Sequence, residues 1–522
     1  MRILLVSPET PVTFWSLHYA LEFISRKAIL PPLGLLTVAA MLPRAWEKRL
    51  VDLATTVLRD EDIRWADYVF VSGMCVQRTS ARRVIDRCKR LGARIVAGGP
   101  LFTSLPEEFD DVDHLVLGEA EGTLPQFLKD LEAGRAEHLY RADTWADLRG
   151  TPAPLWDLVD VRHYGVLPLQ YSRGCPFNCD FCDVTFLFGR RIRTKTAQQL
   201  RTELDWIYAL GWKREVFFVD DNFIADRPTL KRQVLPALIE WMEEHRYPFP
   251  FYTQASINLA DDDELMELMG RAGFESVFVG LETVADSSLA ECNKVQNRGR
   301  DLVACVRKIQ RFGMEVQGGF ILGFDSDPPT IFDDLIQFIQ DSGIATAMVG
   351  LLQAHRGTQL RERLQRENRV LGEVIENTNG AMNLIPKMEI GQLDRGYRRV
   401  VETLYAPDWH YARVWRFLEA WRPVHKVRHR LGWEDLRALF LLMSRLGIRE
   451  PGRRHFWRLF AWALRHPRDR RMVLTLAAFG YHFRKVFAGV RVRMAREESV
   501  RQTGAPVLGS VSRESPPPQL AK

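Results

Sequence analysis

The feature that most restricts the fold is a recurring unit in the middle of the chain, where a helical pattern ends near a glycine and an apolar run follows within a few residues. The unit occurs at Gly211, Gly273, Gly313 and Gly343. A glycine just past a helix end adopts the left-handed conformation that stops the helix. With two more apolar runs, the pattern predicts six strands, Leu167–Tyr171, Glu215–Val219, Phe249–Gln254, Ser276–Leu281, Glu315–Leu322 and Ala345–Leu352. Strands separated by helices predict a partial (β/α)6 barrel over residues 166–355.

Residues 1–145 show a similar alternation of short apolar runs and helical patterns, with strands predicted at Arg2–Val6, Tyr68–Ser72 and Arg94–Ala97. This alternation favours an α/β domain with a doubly wound parallel sheet. Such sheets bind ligands at the carboxyl ends of their strands. Small residues there let a large ligand approach the backbone, although ordinary tight turns explain them equally well. The loops concerned are Ser72-Gly73-Met74, Gly98-Gly99-Pro100 and Gly118-Glu119-Ala120-Glu121.

The rest of the chain divides into three parts. Residues 146–165 are predicted to be a linker, marked by Thr-Pro-Ala-Pro at 151–154. The strand–helix alternation stops after residue 355, and residues 356–500 are predicted to be a helical extension rich in Trp, Arg and Leu. Residues 501–522 are predicted to be a disordered tail, because they hold Ser, Pro and Gly without periodicity.

Composition excludes several classes of protein. Hydrophobic residues make up 46% of the 522 residues and charged residues 26%, which is typical of a globular protein rather than of a disordered or disulfide-scaffold chain. No uninterrupted apolar run of about 18 residues is present, which argues against a spanning helix. The net charge of +6 is concentrated between residues 451 and 500, where twelve Lys and Arg face three Asp and Glu. No strand pattern of an RNA-binding module accompanies this basic region, so we expect no nucleic-acid partner.

The sharpest motif is Ser-Arg-Gly-Cys-Pro-Phe-Asn-Cys-Asp-Phe-Cys, which places Cys175, Cys179 and Cys182 on one loop directly after the first barrel strand. A structural zinc ion needs four ligands, and no Cys or His close by in sequence completes the set. Iron–sulfur clusters of the [4Fe-4S] type normally take four cysteines, so three cysteines suit a cluster with one open iron. Without a signal peptide, the seven cysteines are expected to stay reduced in the cytoplasm.

Polar groups follow the other predicted barrel strands at their carboxyl ends, where the active sites of such barrels are built. A single residue of this kind is more often a capping group or a solvated carboxylate than a site. Five sets at the same end of one barrel favour an active site. The sets are Asp220-Asp221-Asn222, Ser256 with Asn258, Glu282-Thr283, Gly323 with Asp325, and Gln353 with His355.

The cysteine spacing, with an aromatic residue before the last cysteine, resembles the radical S-adenosylmethionine (SAM) superfamily, in which SAM binds the open iron of the cluster. The preceding α/β domain resembles the cobalamin-binding subclass, and the likeness is closest to the group that contains hopanoid C-2 methyltransferase. Strings that carry the likeness begin at Pro31, Phe218, Phe278 and Ile321. The resemblance implies that Asp221 lies near the SAM amino group, that Ser256 and Glu282 contact its ribose and methionine parts, and that the segment ending at Gly323 packs by the adenine.

The same resemblance implies that cobalamin faces the glycine-bearing loops of the first domain. Its contacts would be Ser72, Gly73, Gly98, Gly99, Gly118 and Glu119. The Asp-His-Gly motif that supplies the lower axial histidine in other cobalamin proteins is missing. His18 lacks the flanking Asp and Gly, and is expected to be an ordinary packed or surface residue. Cobalamin is therefore expected to bind base-off, without a protein imidazole on cobalt.

These expectations combine into a cobalamin-dependent radical SAM methyltransferase that methylates an unactivated carbon of a hydrophobic, lipid-like small molecule. The resemblance implies that SAM cleavage gives a 5′-deoxyadenosyl radical, which takes hydrogen from the substrate before cobalamin delivers the methyl group. A donor such as flavodoxin or ferredoxin would reduce the cluster. The nearest alternative is a non-methylating enzyme on the same scaffold, such as a radical cyclase or a ring-rearranging oxidoreductase. A cobalamin or Fe–S sensor is a second alternative, but a sensor needs no SAM pocket.

The basic C-terminal region suggests where the enzyme acts. The segment from Arg453 places Phe456, Leu459, Phe460 and Leu464 at helical spacing among arginines. A basic amphipathic helix of this kind can lie in a membrane interface. We therefore expect a cytoplasmic enzyme that associates peripherally with the inner face of the membrane. The alternative is that these helices pack on the barrel and expose only their arginines.

Overall fold

The computed structural model describes residues 1–142, 144–373, 381–424 and 432–502, and within them the backbone forms two six-stranded parallel sheets and one two-stranded ribbon. The first sheet has the order β2-β1-β3-β4-β5-β6. Its strands are β1 Arg2–Ser7, β2 Glu47–Asp52, β3 Tyr68–Ser72, β4 Ile95–Gly98, β5 His114–Leu117 and β6 Leu139–Arg141. Its helices are His18–Leu21, Leu33–Met41, Asp60–Trp65, Arg78–Arg90, Pro100–Ser104 and Ala120–Glu132.

Strand β1 shows why this sheet is doubly wound. Its four central residues are fully buried, with Leu4 and Val6 in one hydrophobic cluster and Ile3 and Leu5 in another. A strand that is buried on both faces needs helices on both sides of the sheet. The chain order reverses at β1, which lies between β2 and β3, and this is where such sheets open a ligand crevice. The predicted doubly wound domain is confirmed.

The second sheet forms an open half-barrel with the order β12-β11-β10-β9-β8-β7, once its strands are numbered along the chain. The strands are β7 Leu167–Leu169, β8 Val216–Phe218, β9 Phe251–Ala255, β10 Phe274–Glu282, β11 Glu315–Leu322 and β12 Ala347–Leu351. The surrounding helices are Val184–Phe188, Ala197–Ala209, Arg227–Thr229, Leu235–Glu244, Asp263–Arg271, Asp286–Glu291, Leu302–Arg311 and Ile331–Ser342. Gly211, Gly273, Gly313 and Gly343 all have positive φ, as predicted for the ends of helices.

The C-terminal part is helical, as predicted, and covers the open edge of the half-barrel. Its helices are Gln359–Arg366, Ile390–Tyr405, Pro407–Ala420, Trp433–Leu442, Arg453–Arg465 and Arg470–Gln502, with a π-helix at Met443–Arg449. Tyr397 donates a hydrogen bond to the carbonyl of Val349 in β12, at 3.3 Å. Tyr405 hydrogen-bonds the backbone of Ala347 in the same strand. This helical layer therefore belongs to the barrel rather than to a separate module.

The helix Arg453–Arg465 does not present the apolar face that the sequence suggested for a membrane. Phe456 and Leu459 are fully buried, Phe460 is half-buried, and only Leu464 is exposed among the four expected residues. The pattern predicted the helix correctly, but its apolar side packs inside the protein. The predicted tail lies outside the described residues from position 503 onward.

Candidate functional site

Loops at the carboxyl edge of the first sheet meet the barrel. Trp15, after β1, packs against Phe278 in β10 with ring centroids 5.3 Å apart. Glu107, after β4, forms an ion pair with Arg356, which follows β12. Glu119, after β5, forms an ion pair with Arg193. These three contacts place the crevice of the first sheet next to the carboxyl end of the half-barrel.

The cysteine loop is held at both ends by a two-stranded antiparallel ribbon, in which Ser172 pairs with Thr194 and Arg173 with Arg193. We call residues 174–192, which this ribbon encloses, the cysteine segment. Gly174 opens it with φ of 95°, and a Cβ there would lie 2.7 Å from the carbonyl oxygen of Arg191. Only glycine fits this combination of left-handed backbone and close approach. The backbone N–H of Cys182 donates to the carbonyl of Cys179 at 3.3 Å, which gives the loop its tight turn.

The three thiols share one electrostatic environment. Burial raises the pKa of the Cys175, Cys179 and Cys182 thiols, and the charge of Cys179 raises the pKa of the other two further. The charge of the Lys294 ammonium lowers the pKa of all three thiols and so opposes the effect of burial. Three half-buried thiols beside a buried cation are a suitable donor set for a cluster, because a bound metal replaces the proton that burial favours.

A single metal ion would need closer ligands. Among the described residues, no group of three or more His, Cys, Asp and Glu side chains is arranged to hold one ion. In a [4Fe-4S] cluster each cysteine binds a different iron, so its ligands lie farther apart than those of a single ion. Three cysteines on one loop are the donor set that a cluster with an open iron needs, and their role as its ligands stays a prediction.

Two aspartates follow β8 and have different roles. The Asp220 carboxylate accepts the backbone N–H groups of Tyr171 and Ser172, so it fixes the end of β7 where the cysteine loop begins. Burial raises the pKa of the Asp220 carboxyl to about 6. Burial raises the pKa of the Asp221 carboxyl to about 7, and the nearby Asp220 charge adds to this rise. The Asp221 charge also raises the pKa of the Cys175 thiol, so this predicted residue lies close to the cysteines.

The ends of β9 and β11 are held by side-chain hydrogen bonds. The Asn222 side-chain oxygen accepts the backbone N–H of Ser256 at 3.2 Å, and the Ser256 hydroxyl donates to Asn258 at 2.6 Å. Gly323, with φ of 101°, donates its N–H to Asp327 at 2.8 Å. Ser256 is therefore hydrogen-bonded to Asn222, which follows β8, whereas Gly323 is hydrogen-bonded within the loop after β11.

Glu282 lies at the end of β10 in a strained backbone conformation, with φ of 65°. Its carboxylate pairs with Lys294 at 2.6 Å, and both side chains are about nine-tenths buried. Asn297 holds the backbone directly before Glu282, because its side-chain amide donates to the carbonyl of Leu281 at 2.9 Å. The Gln296 amide nitrogen lies 3.8 Å from the Cys179 sulfur.

Sequence reasoning missed Lys294, Gln296 and Asn297, because they follow a short helix rather than a strand end. The only signal in the sequence was a mostly polar segment from Asn293 to Asn297, interrupted by Val295, which is equally typical of a surface turn. Their place beside the cysteines depends on the fold of the loop after β10.

The glycine-bearing loops of the first sheet lie at the ends of β3, β4 and β5, as expected. A Cβ at Gly99 would lie 2.4 Å from the Ser72 hydroxyl, and one at Gly98 would lie 2.6 Å from the Val116 carbonyl. Their small size is therefore needed for contacts between neighbouring loops. Gly118 has φ of 79° with open space around its Cα, so a ligand can approach its backbone. A Cβ at Gly73 would lie 3.2 Å from the side chain of Gln77, at the closest.

The Glu119 side chain has surroundings that the sequence did not suggest, whereas His18 is a surface residue as expected. The Glu119 side chain is 3% exposed and binds Arg193 and the backbone N–H of Ala146, so its carboxylate is already occupied within the protein. His18 is exposed on a short helix, and its ring lies edge-on to Tyr19.

Comparison with known proteins shows the family of the chain. The family model described as "Radical SAM superfamily" matches residues 169–339, and "B12 binding domain" matches residues 23–128. A methyltransferase of Synechocystis that is named as uncharacterized is 41% identical, over 92% of this chain and 91% of its own. The hopanoid C-2 methylase of Rhodopseudomonas palustris is 35% identical, over 72% of each chain. The chain belongs to the cobalamin-dependent radical SAM methyltransferase family.

Solved structures show the same fold for the methyltransferase over nearly its whole length. The cobalamin-dependent S-adenosylmethionine radical enzyme OxsB matches with a TM-score of 0.59 at 14% identity, covering 96% of this chain and 81% of its own. The radical S-adenosylmethionine methyltransferase TsrM of Kitasatospora setae matches with a TM-score of 0.57 at 16% identity, covering 91% and 99%. The predicted family, fold class and enzyme class are confirmed.

The cofactors of the methyltransferase are SAM, a [4Fe-4S] cluster and cobalamin, as predicted. Residues 358–496 match a domain of unknown function, DUF4070, which coincides with most of the C-terminal helices. No helix in the described part of the chain is long and apolar enough to cross a membrane.

Proposed function

We propose that the methyltransferase adds a methyl group to an unactivated carbon of a hydrophobic, lipid-like small molecule. The observation that carries this proposal is the inner face of the half-barrel. In a parallel sheet, residues in register share a face, and Phe217 pairs with Tyr252 while Gln254 pairs with Phe278. Phe218, on the opposite face, is fully buried in the layer beneath the helices.

The inner face carries aromatic side chains next to polar ones, since Ser276, Glu315 and Gln317 share its register, and it is partly accessible. The rings of Phe217 and Tyr252 stack with centroids 4.4 Å apart, and both side chains are half-buried although they lie in central strands. Trp15 adds a ring that is 43% exposed and contacts Phe278. Aromatic surfaces in a concave site bind apolar ligands through burial of area and through ring contacts. We therefore propose that these rings contact the hydrocarbon part of the substrate.

The cofactors supply hydrogen abstraction from unactivated carbon and donation of a methyl group, while the protein supplies position and exclusion of water. We propose Cys175, Cys179 and Cys182 as the cluster ligands. We propose Asp221, Ser256, Glu282 and Gly323 as the surroundings of SAM, and Ser72, Gly73, Gly98, Gly99, Gly118 and Glu119 as the cobalamin-facing loops. A flavodoxin or ferredoxin is proposed as the electron donor.

We also propose that the enzyme is cytoplasmic and associates peripherally with the inner face of the membrane, through a surface different from the one predicted. Trp433 is 88% exposed and Phe440 is 66% exposed. Arg437 lies exposed between these two residues in the same helix. Exposed aromatic and aliphatic side chains beside arginine favour an anionic lipid interface.

Vesicle flotation tests the membrane proposal. The double variant Trp433→Ser/Phe440→Ser should lose flotation with anionic vesicles, while Trp206→Ser, which removes an exposed tryptophan from a barrel helix, should float like the wild type. Absence of flotation by the wild type, or equal flotation of all three proteins, would contradict the proposal.

The substrate proposal is tested in cells. A deletion strain should lack one or more apolar compounds and accumulate forms that are lighter by one methylene, as judged by mass spectrometry of solvent extracts. The wild-type gene should restore the missing compounds, and a gene encoding Cys179→Ala should not. Compounds that change in ring structure without the methylene difference would favour the non-methylating alternative instead.

A further inference from the structure

A buried network of four charged side chains joins the first domain to the cysteine segment. We call Glu119, Glu121, Arg173 and Arg193 the interdomain clamp. Their side chains are 3%, 10%, 13% and 11% exposed, in that order. The glutamates come from the loop after β5 and the first turn of the helix Ala120–Glu132, while the arginines come from the ribbon that encloses the cysteine segment.

The contacts of the clamp are cross-linked, and the one between Arg173 and Glu121 is bidentate. Arg173 donates to the two oxygens of Glu121 at 2.8 and 2.9 Å, and to Glu119 at 3.2 Å. Arg193 donates to the two oxygens of Glu119 at 2.7 and 2.5 Å. Glu119 thus contacts both arginines, so the two strands of the ribbon are held by one carboxylate. Paired guanidinium and carboxylate groups fix direction as well as distance.

Further hydrogen bonds attach the clamp to the surrounding backbone. Arg193 donates to the carbonyl of Phe188, inside the cysteine segment, at 2.7 Å, and to the carbonyl of Ala146 at 2.9 Å. Thr151 donates its hydroxyl to Glu121 at 2.9 Å. The Arg173 guanidinium lowers the pKa of the Glu121 carboxyl despite its burial, so the carboxylate stays charged.

The energetics of such a network favour a geometric role over a stabilising one. Two carboxylates and two guanidinium groups balance in charge, and taking them out of water offsets much of their attraction. An apolar contact of similar size would stabilise the junction at least as well. What the charges add is one defined arrangement, because any displacement of the ribbon leaves a buried charge without its partner.

We propose that the interdomain clamp is a positioning device that holds the cysteine segment at a fixed place relative to the cobalamin-facing loop. This rests on the proposed ligand role of the cysteines. Arg173 lies two residues before Cys175, and Glu119 directly follows Gly118, so the clamp joins the two loops next to their proposed cofactor contacts. Glu119 and Glu121 are therefore positioning residues, since their carboxylates bind protein groups.

Hydrogen exchange on the full chain without cofactors tests the clamp independently of the proposed function. In Glu121→Gln and in Arg173→Gln, backbone exchange at residues 118–132 and 172–194 should accelerate about tenfold or more, since each variant leaves a buried charge unpaired. Asp111→Asn, which disturbs an exposed ion pair with Arg82 in the same domain, should leave both segments unchanged. Wild-type exchange in both segments, or equal acceleration throughout the chain, would overturn the proposal.

The loaded enzyme supplies a second readout. Glu121→Gln should bind cluster and cobalamin at wild-type levels but form about tenfold more 5′-deoxyadenosine per methylated product, because misplaced reacting groups lose rate steeply. The magnetic interaction between cob(II)alamin and the reduced cluster in the electron paramagnetic resonance spectrum should also change. Unchanged product ratio and spectrum together with accelerated exchange would show that the clamp is only structural. Failure of the wild type to methylate would instead contradict the proposed function and leave the exchange result standing.

Discussion

At the residue scale, the account depends first on the three cysteines. Cys175→Ala, Cys179→Ala and Cys182→Ala should each abolish stable cluster loading, because a cluster with only two protein ligands is held too weakly to persist. Iron and sulfide assays after anaerobic reconstitution measure this, with Cys305→Ala, half-buried on a barrel helix, as the matched control. Retention of about four irons per chain in Cys179→Ala would refute the ligand assignment.

The pair of Glu282 and Lys294 is the second prediction at this scale. Lys294→Met should lower the free energy of unfolding by about 3–5 kcal/mol, because it leaves the Glu282 carboxylate buried without its partner. The double variant Glu282→Gln/Lys294→Met should lose less than the sum of the single variants. Urea unfolding of the cofactor-free protein measures both effects.

The control for this pair is Lys308→Met, whose ammonium pairs with Asp263, a carboxylate that is 65% exposed. It should cost about 1 kcal/mol or less. Additive effects of the Glu282 and Lys294 substitutions would show that the two side chains do not depend on each other.

His18 provides a test of the cobalamin assignment. His18→Ala should leave the absorption spectrum of bound hydroxocobalamin in the base-off form, because His18 is exposed and the sequence lacks the axial-histidine motif. A nitrogen hyperfine pattern in the Co(II) resonance spectrum that disappears on this substitution would show that an imidazole does bind cobalt.

At the element scale, the helix Arg470–Gln502 ties the N-terminal segment to the barrel. His482 is fully buried in this helix, and its Nδ1 accepts the backbone N–H of Tyr19 at 3.3 Å. Its Nε2 therefore carries the hydrogen and donates to the carbonyl of Phe14 at 3.1 Å. This contact holds the segment that presents Trp15 to the inner face of the barrel.

His482 makes this attachment sensitive to acid. Burial lowers the pKa of the His482 imidazole to about 4, whereas an unfolded histidine titrates near 6.5. Between these values the unfolded chain binds a proton that the folded chain does not, so stability is complete above the unfolded pKa and falls as the pH drops. The loss between about pH 7 and about pH 4.5 should be about 2.5 kcal/mol.

Urea unfolding at several pH values checks this prediction by comparing the wild type with His482→Gln. The variant should lack this part of the acid dependence, because glutamine does not titrate. The exposed His466 provides the control, since His466→Gln should keep the wild-type dependence. The same slope in wild type and His482→Gln would contradict the assignment.

The elements themselves show what sequence patterns can predict. The βα units were predictable because glycine caps and apolar runs are local signals. Strand β2, Glu47–Asp52, was missed because only its last two residues are buried. Strand β6, Leu139–Arg141, was missed because three residues give too short a pattern. The helix Arg453–Arg465 was predicted, but its apolar face packs inside the protein rather than facing a membrane. Periodicity shows that a helix has an apolar face, but it does not show what covers that face.

At the scale of the whole molecule, the account depends on contacts between distant parts of the chain. Glu121 and Arg173 are 52 positions apart, and Arg356 reaches Glu107 across 249. Such pairs leave no local signal, so the sequence did not suggest that the Glu119 carboxylate binds arginines. The cysteine motif and the polar strand ends could be predicted because fold and spacing place them at one edge.

The most direct measurement of the central claim is transfer of a labelled methyl group. The reconstituted, reduced protein would be incubated with SAM that carries a CD3 group and with the apolar compound that accumulates in the deletion strain. The account predicts a product in which CD3 replaces one hydrogen on carbon, together with 5′-deoxyadenosine, and neither with Cys179→Ala. Formation of 5′-deoxyadenosine with no label in the product, or label transfer by the Cys179→Ala protein, would contradict it.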